Sequence, residues 1–116
     1  MTTLIVIDQA PYGNWAGREA LDMAFSLATF DQEVSLLFTG AGVNWLRKGQ
    51  APEAIGQKSA EKNITAAPIF GIDKIMADQV SCERYGLAQD ELIAGTTITK
   101  SSHDLLASYT SIVFSN

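Results

Sequence analysis

The clearest pattern in the chain is a series of short hydrophobic runs separated by polar and glycine-rich segments. Runs of this kind, rich in Val, Ile and Leu, are typical of strands that a parallel sheet buries on both faces. The pattern predicts buried strands at residues 4–7, 34–38 and 72–77. A shorter, more polar strand is predicted at residues 96–99, and a last strand at residues 111–114.

Helical patterns occupy the intervals between these runs. The strongest, at residues 17–30, repeats its apolar positions with the period of an α-helix. A short helix is predicted at residues 43–47, directly after the glycine-containing turn 39–42. The segment 57–66 also has a helical pattern, but several of its residues are poor helix formers.

The signals that begin and end helices are strongest after the third predicted strand. Asp78 is the predicted N-cap of a helix over residues 79–85, and Gly86 stands where a left-handed residue commonly ends a helix. Ser101 followed by Asp104 resembles a capping box, which predicts a further helix to about residue 108.

Strands alternate with helices along the chain, and this order favours an α/β fold. A length of 116 residues suits one domain with a substantial core. Hydrophobic residues make up 47% of the chain and charged residues 18%, which is typical of a globular rather than a disordered protein. We therefore expect a single three-layer domain over residues 1–116, with a mostly parallel central sheet of about five strands and helices on both faces.

The helix predicted at residues 17–30 is apolar over more of its circumference than packing on one sheet requires. The face expected against the sheet consists of Leu21, Ala24, Phe25 and Ala28. A second apolar side consists of Met23, Leu27 and Phe30. The sequence predicts that another subunit covers this second side, so that the isolated chain could form a homo-oligomer. Alternatively, the C-terminal segment or the 57–66 helix covers it within the chain.

The charge pattern bears on the partners of the protein. The formal net charge is -5, and the eight Lys and Arg residues are scattered, so we expect no direct contact with nucleic acid. The amino terminus lacks the basic start of a signal peptide, and no apolar stretch approaches the ~18 residues that span a bilayer. We therefore expect a cytoplasmic protein that is not bound to a membrane.

Most candidate chemical motifs are weak. The glycine-rich segment 39–44 lacks the third glycine of a dinucleotide-binding loop and the lysine of a phosphate-binding loop, and is expected to form a tight turn. His103 is expected to be solvated in the first turn of a helix. Asp8 follows the first strand at the edge where α/β sheets bind ligands, although an Asp there commonly caps a turn. A stand-alone ligand-binding domain using residues 8–14 remains an alternative function.

Cys82 is the only cysteine, which excludes an internal disulfide and a cysteine-cluster metal site. It lies one turn into a predicted helix, near the acidic residues Asp78 and Glu83, and both features disfavour a thiolate. We expect a packed, inert thiol, with a reactive nucleophile as the alternative. No metal-ligand spacing or cofactor motif is present, so neither a metal nor a cofactor is expected.

Three segments resemble one known family. "APYGNWAGREALDMAFSLATFDQEVSLLFTGAGVNWL" (residues 10–46), "KGQAPEAI" (residues 48–55) and "GIDKIMADQVSCERYGL" (residues 71–87) are similar to the TusC/DsrF family. These are DsrE-like fold subunits of the TusBCD and DsrEFH sulfur-relay complexes. The first segment carries the most specific features, and the others support it by their order and spacing.

The resemblance implies a place in a larger assembly. TusC/DsrF chains combine with TusB/DsrH-like and TusD/DsrE-like subunits as a dimer of heterotrimers. TusBCD passes persulfide sulfur towards 2-thiouridine formation at the tRNA wobble position, whereas DsrEFH serves sulfur oxidation. The sequence leaves both pathways open, together with a third possibility, an independent domain that accepts persulfide on Cys82.

The resemblance also assigns roles to individual residues. The sulfur-carrying cysteine of TusD/DsrE-like subunits lies at the end of the third strand, and Asp78 occupies that position here. A carboxylate cannot hold a persulfide, so this chain resembles a non-carrier subunit with no catalytic nucleophile of its own. The loop and helix start are expected to contact a partner; the residues are Pro11, Tyr12, Gly13, Trp15 and Arg18. Alternatively, Tyr12 and Trp15 cover the core of this chain.

Overall fold

The structure, a computed structural model, describes residues 2–8, 16–29, 33–47, 64–93, 95–100 and 103–114. Five strands form one sheet, and every neighbouring pair in it is parallel. The strands are β1 (Thr2–Ile7), β2 (Glu33–Phe38), β3 (Ile72–Asp78), β4 (Thr96–Thr99) and β5 (Ser111–Phe114). Their order across the sheet is β4-β3-β2-β1-β5. The predicted parallel α/β sheet is confirmed.

Helices connect the strands. The α-helices whose two ends lie within the described residues are α1 (Ala16–Thr29), α2 (Gln79–Arg84) and α3 (His103–Ala107). Three further segments are 3-10 helices, named η1 (Gly40–Leu46), η2 (Ala67–Phe70) and η3 (Gln89–Glu91). From β1 to β4 the chain moves in one direction across the sheet, and it returns in the opposite direction to β5. Because parallel connections are right-handed, this reversal places α3 on the face opposite to α1 and α2.

Two clusters of buried residues agree with this arrangement. The larger one joins α1, η1 and α2 to the sheet residues that alternate along β2, including Val34, Leu36 and Phe38. The smaller one joins Leu37 and the other alternating positions of β1 and β3 to α3. The described helices therefore cover both faces, but unequally.

The bounds of β1 and β2 agree with the predicted strands within two residues, and the ends of α2 agree with the predicted signals. The Asp78 carboxylate accepts a hydrogen bond of 3.0 Å from the Ser81 amide, as an N-cap does. At the other end Gly86 has a φ of 66°. The amides of Gly86 and Leu87 donate to the carbonyls of Glu83 and Cys82 at 3.2 and 2.8 Å, which is the pattern of a Schellman motif.

Several local predictions differ from the structure. The expected turn at residues 39–42 is part of η1, which begins at Gly40 and ends at Leu46 instead of spanning 43–47. Helix η3 was not predicted, because three exposed polar residues carry no periodic signal. Of the segment 57–66, only residues 64–66 are described, and they are helical. Ser101, the first residue of the predicted capping box, lies outside the described residues.

The apolar sides of α1 are also divided differently. Leu27, which the sequence assigns to the second apolar side of the helix, is half-buried and packs against the larger core cluster, and its contact with another subunit stays a prediction. The fully covered positions of the helix are Ala20, Leu21 and Ala24. Leu27 lies three residues after Ala24 and therefore near the same buried face, since residues three and four apart share a helix face.

Candidate functional site

The carboxyl ends of the parallel strands gather several polar residues at one edge of the sheet. Asp8 follows β1, Thr39 follows β2, and Asp78 is the last residue of β3. This edge is where open α/β sheets usually place their ligand-binding and catalytic groups. The same edge contains Asp78, which by resemblance occupies the position of the sulfur-carrying cysteine.

A hydrogen-bonded bridge organises this edge. The Ser81 hydroxyl donates to the Asp78 carboxylate at 2.6 Å, and the Gly40 amide donates to the Ser81 hydroxyl oxygen at 2.7 Å. Asp78 therefore does not only cap α2; through Ser81 it also connects the end of β3 to the start of η1. Ser81 is 6% exposed, so the bridge is largely shielded from water.

Helix η1 is held against the sheet by backbone contacts. The Thr39 amide donates to the Ile7 carbonyl at 3.0 Å, and the Gly42 amide donates to the Thr39 carbonyl at 2.8 Å. Trp45, 1% exposed, anchors the helix in the core. Near its end, the Arg47 guanidinium donates to the Asn44 side-chain oxygen at 3.2 Å. These contacts therefore hold the backbone of η1 in place near its start and near its end.

The Cys82 thiol lies one residue beyond this bridge, inside the larger core cluster. Cys82 is 2% exposed. Burial, and to a smaller extent the negative charge of Asp78, raise the pKa of the thiol above its ordinary value of 9.0. Both effects suppress the thiolate, which is the nucleophilic form of cysteine.

The chemistry available at this edge follows from these positions. The carboxylate at the end of β3 accepts hydrogen bonds at the start of α2, and the thiol nearest to it is buried and held in its neutral form. Among the described residues, no group of three or more His, Cys, Asp or Glu side chains could hold a metal ion. The hydrogen bonds at this edge join the end of β3 to the starts of α2 and η1.

The structure describes only part of the predicted interface. Pro11, Tyr12, Gly13, Trp15 and Phe30 lie outside the described residues. Arg18 is in the first turn of α1, and Met23 is 36% exposed on the same helix. Leu27 packs on the core as described above. His103 is the first residue of α3, and Asp8 is exposed directly after β1.

Ser81 was missed in the sequence. Its position three residues after Asp78 is the N3 position of the helix, where a backbone amide meets the cap. That spacing could have indicated a contact with Asp78. The bond to Gly40, however, spans 41 residues of chain, and no local pattern predicts it.

Comparison with known proteins identifies the family. Residues 1–113 match the model of the DsrE/DsrF-like family. The chain belongs to this family. The Protein TusC homolog of Pseudomonas aeruginosa is 33% identical to this DsrE/DsrF-like chain over 112 residues, or 95% of the chain and 94% of that protein. The intracellular sulfur oxidation protein DsrF of Allochromatium vinosum is 36% identical over 85 residues, or 73% of the chain and 62% of DsrF. The predicted resemblance to TusC and DsrF is confirmed.

Solved structures show the same DsrE/DsrF-like fold. The ychN protein of E. coli superposes with a TM-score of 0.77 at 18% identity, covering 98% of this chain and 99% of that one. A protein of unknown function from Methanobacterium thermoautotrophicum superposes with a TM-score of 0.75 at 14% identity, covering 97% of each chain. At this identity the likeness concerns the fold alone. Among the described helices, none has the length and apolar character needed to cross a membrane.

Proposed function

We propose that this chain is the non-carrier, TusC/DsrF-like subunit of a heteromeric sulfur-relay complex. In that complex persulfide sulfur passes towards 2-thiouridine formation at the tRNA wobble position. The observation that carries the proposal is the side chain of Asp78 and the hydrogen bonds that it accepts. The residue at the family's carrier position is a carboxylate that accepts hydrogen bonds from the Ser81 amide and hydroxyl, and it has no sulfur atom on which to form a persulfide.

The lone thiol supports the same division of labour. Cys82 is buried, and its pKa is raised by burial and by Asp78. A sulfur acceptor needs an accessible thiolate, and the environment of Cys82 opposes both accessibility and ionisation. The chain would therefore contribute shape and contact surface, while a cysteine of another subunit carries the sulfur.

The proposed partners are TusB/DsrH-like and TusD/DsrE-like subunits, arranged as a dimer of heterotrimers. On this proposal residues 1–116 act as one domain without a cofactor, in the cytoplasm. The loop before α1 and the start of that helix contact a partner. Met23 supports this placement, because it is an exposed large hydrophobic residue on α1 among the described positions.

A second candidate is the DsrF-like role in sulfur oxidation. It is supported by the 36% identity to the DsrF of Allochromatium vinosum. The tRNA role is preferred because the TusC homolog matches over nearly the full length of both chains, whereas the match to DsrF covers 62% of that protein.

The test combines assembly with sulfur transfer. The full chain is co-expressed with a TusB-like and a TusD-like subunit, and we expect the three to co-purify. A strain lacking its own TusC should regain 2-thiouridine in tRNA when the wild-type chain or Cys82→Ala is supplied. Mass spectrometry after incubation with a persulfide donor should find the added sulfur atom on the TusD-like subunit only.

Each arm has an outcome that contradicts the proposal. A chain that remains without partners argues against the subunit role. Assembly without restored 2-thiouridine, in a host whose sulfur oxidation does respond to the chain, favours the DsrF-like role. A sulfur adduct on Cys82, with loss of function in Cys82→Ala, would show that this chain carries sulfur itself.

A further inference from the structure

A cavity of about 250 Å³ lies at the edge of the sheet opposite to Asp78. It opens at the amino-terminal ends of the first three strands, and the turn between α3 and β5 forms its other side. Among the described residues, the cavity is lined by Thr2, Glu33, Ser35, Lys74, Ser108 and Tyr109. Because it lies away from the carboxyl edge, an inference about it does not rest on the proposed sulfur-relay function.

The short length of α3 explains why the cavity exists. Five helical residues span ~8 Å, whereas strands of six residues extend ~20 Å. Helix α3 therefore covers the central part of this face, where Val6, Leu37 and Met76 are buried beneath it. Towards the amino ends of the strands, the same face is polar, and the described residues leave it open.

Ser35 is the unusual residue of this region. It interrupts the apolar run of β2 between Val34 and Leu36, and it is only 6% exposed. Among the described residues its hydroxyl has no hydrogen-bond partner, although the side chain lines the cavity. The hydroxyl oxygen is not sealed from solvent, so it can form a hydrogen bond with a polar group that enters the cavity.

Charged groups of both signs stand beside Ser35. Lys74 is its register partner on β3, and Glu33 lies two residues earlier on β2, on the same face. Within the described parts of the chain, neither the Lys74 ammonium nor the Glu33 carboxylate forms an ion pair. A simple anion bound to Lys74 would be repelled by Glu33, and a simple cation bound to Glu33 would be repelled by Lys74.

A ligand that carries one carboxylate and one ammonium group satisfies both charges at once. The carboxylate would accept hydrogen bonds from Lys74 and Ser35, and the ammonium would donate to Glu33. The volume is below the ~300–1,000 Å³ of pockets for drug-sized ligands, and it suits a molecule of amino-acid size. We propose that this cavity binds a small zwitterion of the α-amino acid class.

The test is a chemical-shift titration of the isotope-labelled full chain. Glycine and L-alanine are the zwitterionic probes, and acetate and methylammonium present each charge alone at matched ionic strength. We expect saturable shifts at Ser35, Lys74 and Tyr109 with both amino acids, and binding at least about tenfold weaker with either single-charge probe. If acetate bound as tightly as glycine, the cavity would be a simple anion site and the proposal would be overturned.

Variants distinguish the cavity from unspecific binding. Lys74→Met and Glu33→Gln should each weaken glycine binding by about tenfold or more, because each removes one charged contact. Lys100→Met removes an exposed lysine directly after β4 and should leave binding unchanged. Ser35→Ala should weaken binding while the chain stays folded. The proposal is overturned by a lack of saturable shifts in the wild-type chain, or by equal binding in wild type and Lys74→Met.

Discussion

The α-carbon of Gly42 approaches the carbonyl group of Ile7 so closely that no side chain fits between them. A Cβ atom at Gly42 would stand 2.0 Å from the Ile7 oxygen and 2.8 Å from the Ile7 carbon. Both are backbone atoms of β1, which sheet hydrogen bonds hold in place. This contact sets helix η1 directly against the end of β1, beside the bridge from Asp78 to Gly40.

Gly42→Ala should therefore destabilise the protein strongly. The added methyl group must displace backbone rather than a flexible side chain, so we expect a loss of about 3 kcal/mol, the upper end of the usual range for overpacking, in the free energy of unfolding. Gly86→Asn is the matched control, since nothing lies within 4 Å of its Cβ position and Asn tolerates a positive φ. Urea denaturation of both variants measures the difference. Equal stability of the two would contradict the close contact at Gly42.

Asp78→Ala should remove the cap of α2. The Ser81 amide and hydroxyl lose their acceptor, and we expect a loss of about 0.5–2 kcal/mol in the free energy of unfolding. Glu83→Ala, an exposed change in the same helix, should stay within about 0.5 kcal/mol of wild type. Denaturant midpoints provide the comparison. If Asp78→Ala matched Glu83→Ala, the capping role of the carboxylate would be wrong.

The Cys82 thiol should react slowly in the native protein. It is buried among core residues, so an aromatic disulfide reagent reaches it only when the structure opens. We expect a rate at least about a hundredfold lower in buffer than in unfolding concentrations of urea, at one pH. Comparable rates in both solvents would show an accessible thiol.

The same thiol should make stability depend on alkaline pH. Burial, with a smaller contribution from Asp78, raises the pKa of Cys82 above 9.0 in the folded chain. Above the ordinary value the unfolded chain releases the thiol proton while the native chain retains it, so the free energy of unfolding falls as pH rises. Below about pH 8 the contribution is constant. Urea unfolding from neutral to alkaline pH should therefore give a flatter profile for Cys82→Ala, and parallel profiles would exclude a raised pKa.

Met23→Lys should weaken assembly without weakening the fold. Met23 is exposed in the isolated chain, and a charge at this position would be buried at the proposed partner contact. We expect co-purification with the partner subunits to fall by about tenfold or more while the urea midpoint stays near that of wild type. Asp22→Asn changes the charge of the same helix by the same amount at an exposed position beyond its first turn. Unchanged assembly in Met23→Lys would remove this residue from the interface.

The sequence by itself determined the elements whose signals are local. Short apolar runs placed β1, β2, β3 and β5, and a shorter, more polar strand pattern placed β4. The period of the helix pattern placed α1, because the spacing of buried positions is visible within a few residues. Asp78 and Gly86 marked the ends of α2 because capping is settled by backbone groups within one turn. The alternation of these elements was enough for the fold class.

Only the tertiary structure decided what depends on residues far apart in the chain. It set the strand order, and it packed Leu27 on the core, although the helical period alone left that residue on another side. It brought Ser81 to Gly40 across 41 residues, and it placed Ser35 beside Lys74 at an open edge. Such contacts depend on how whole helices and strands pack. A local sequence pattern indicates which secondary structure a segment prefers, but not which distant segment it will contact.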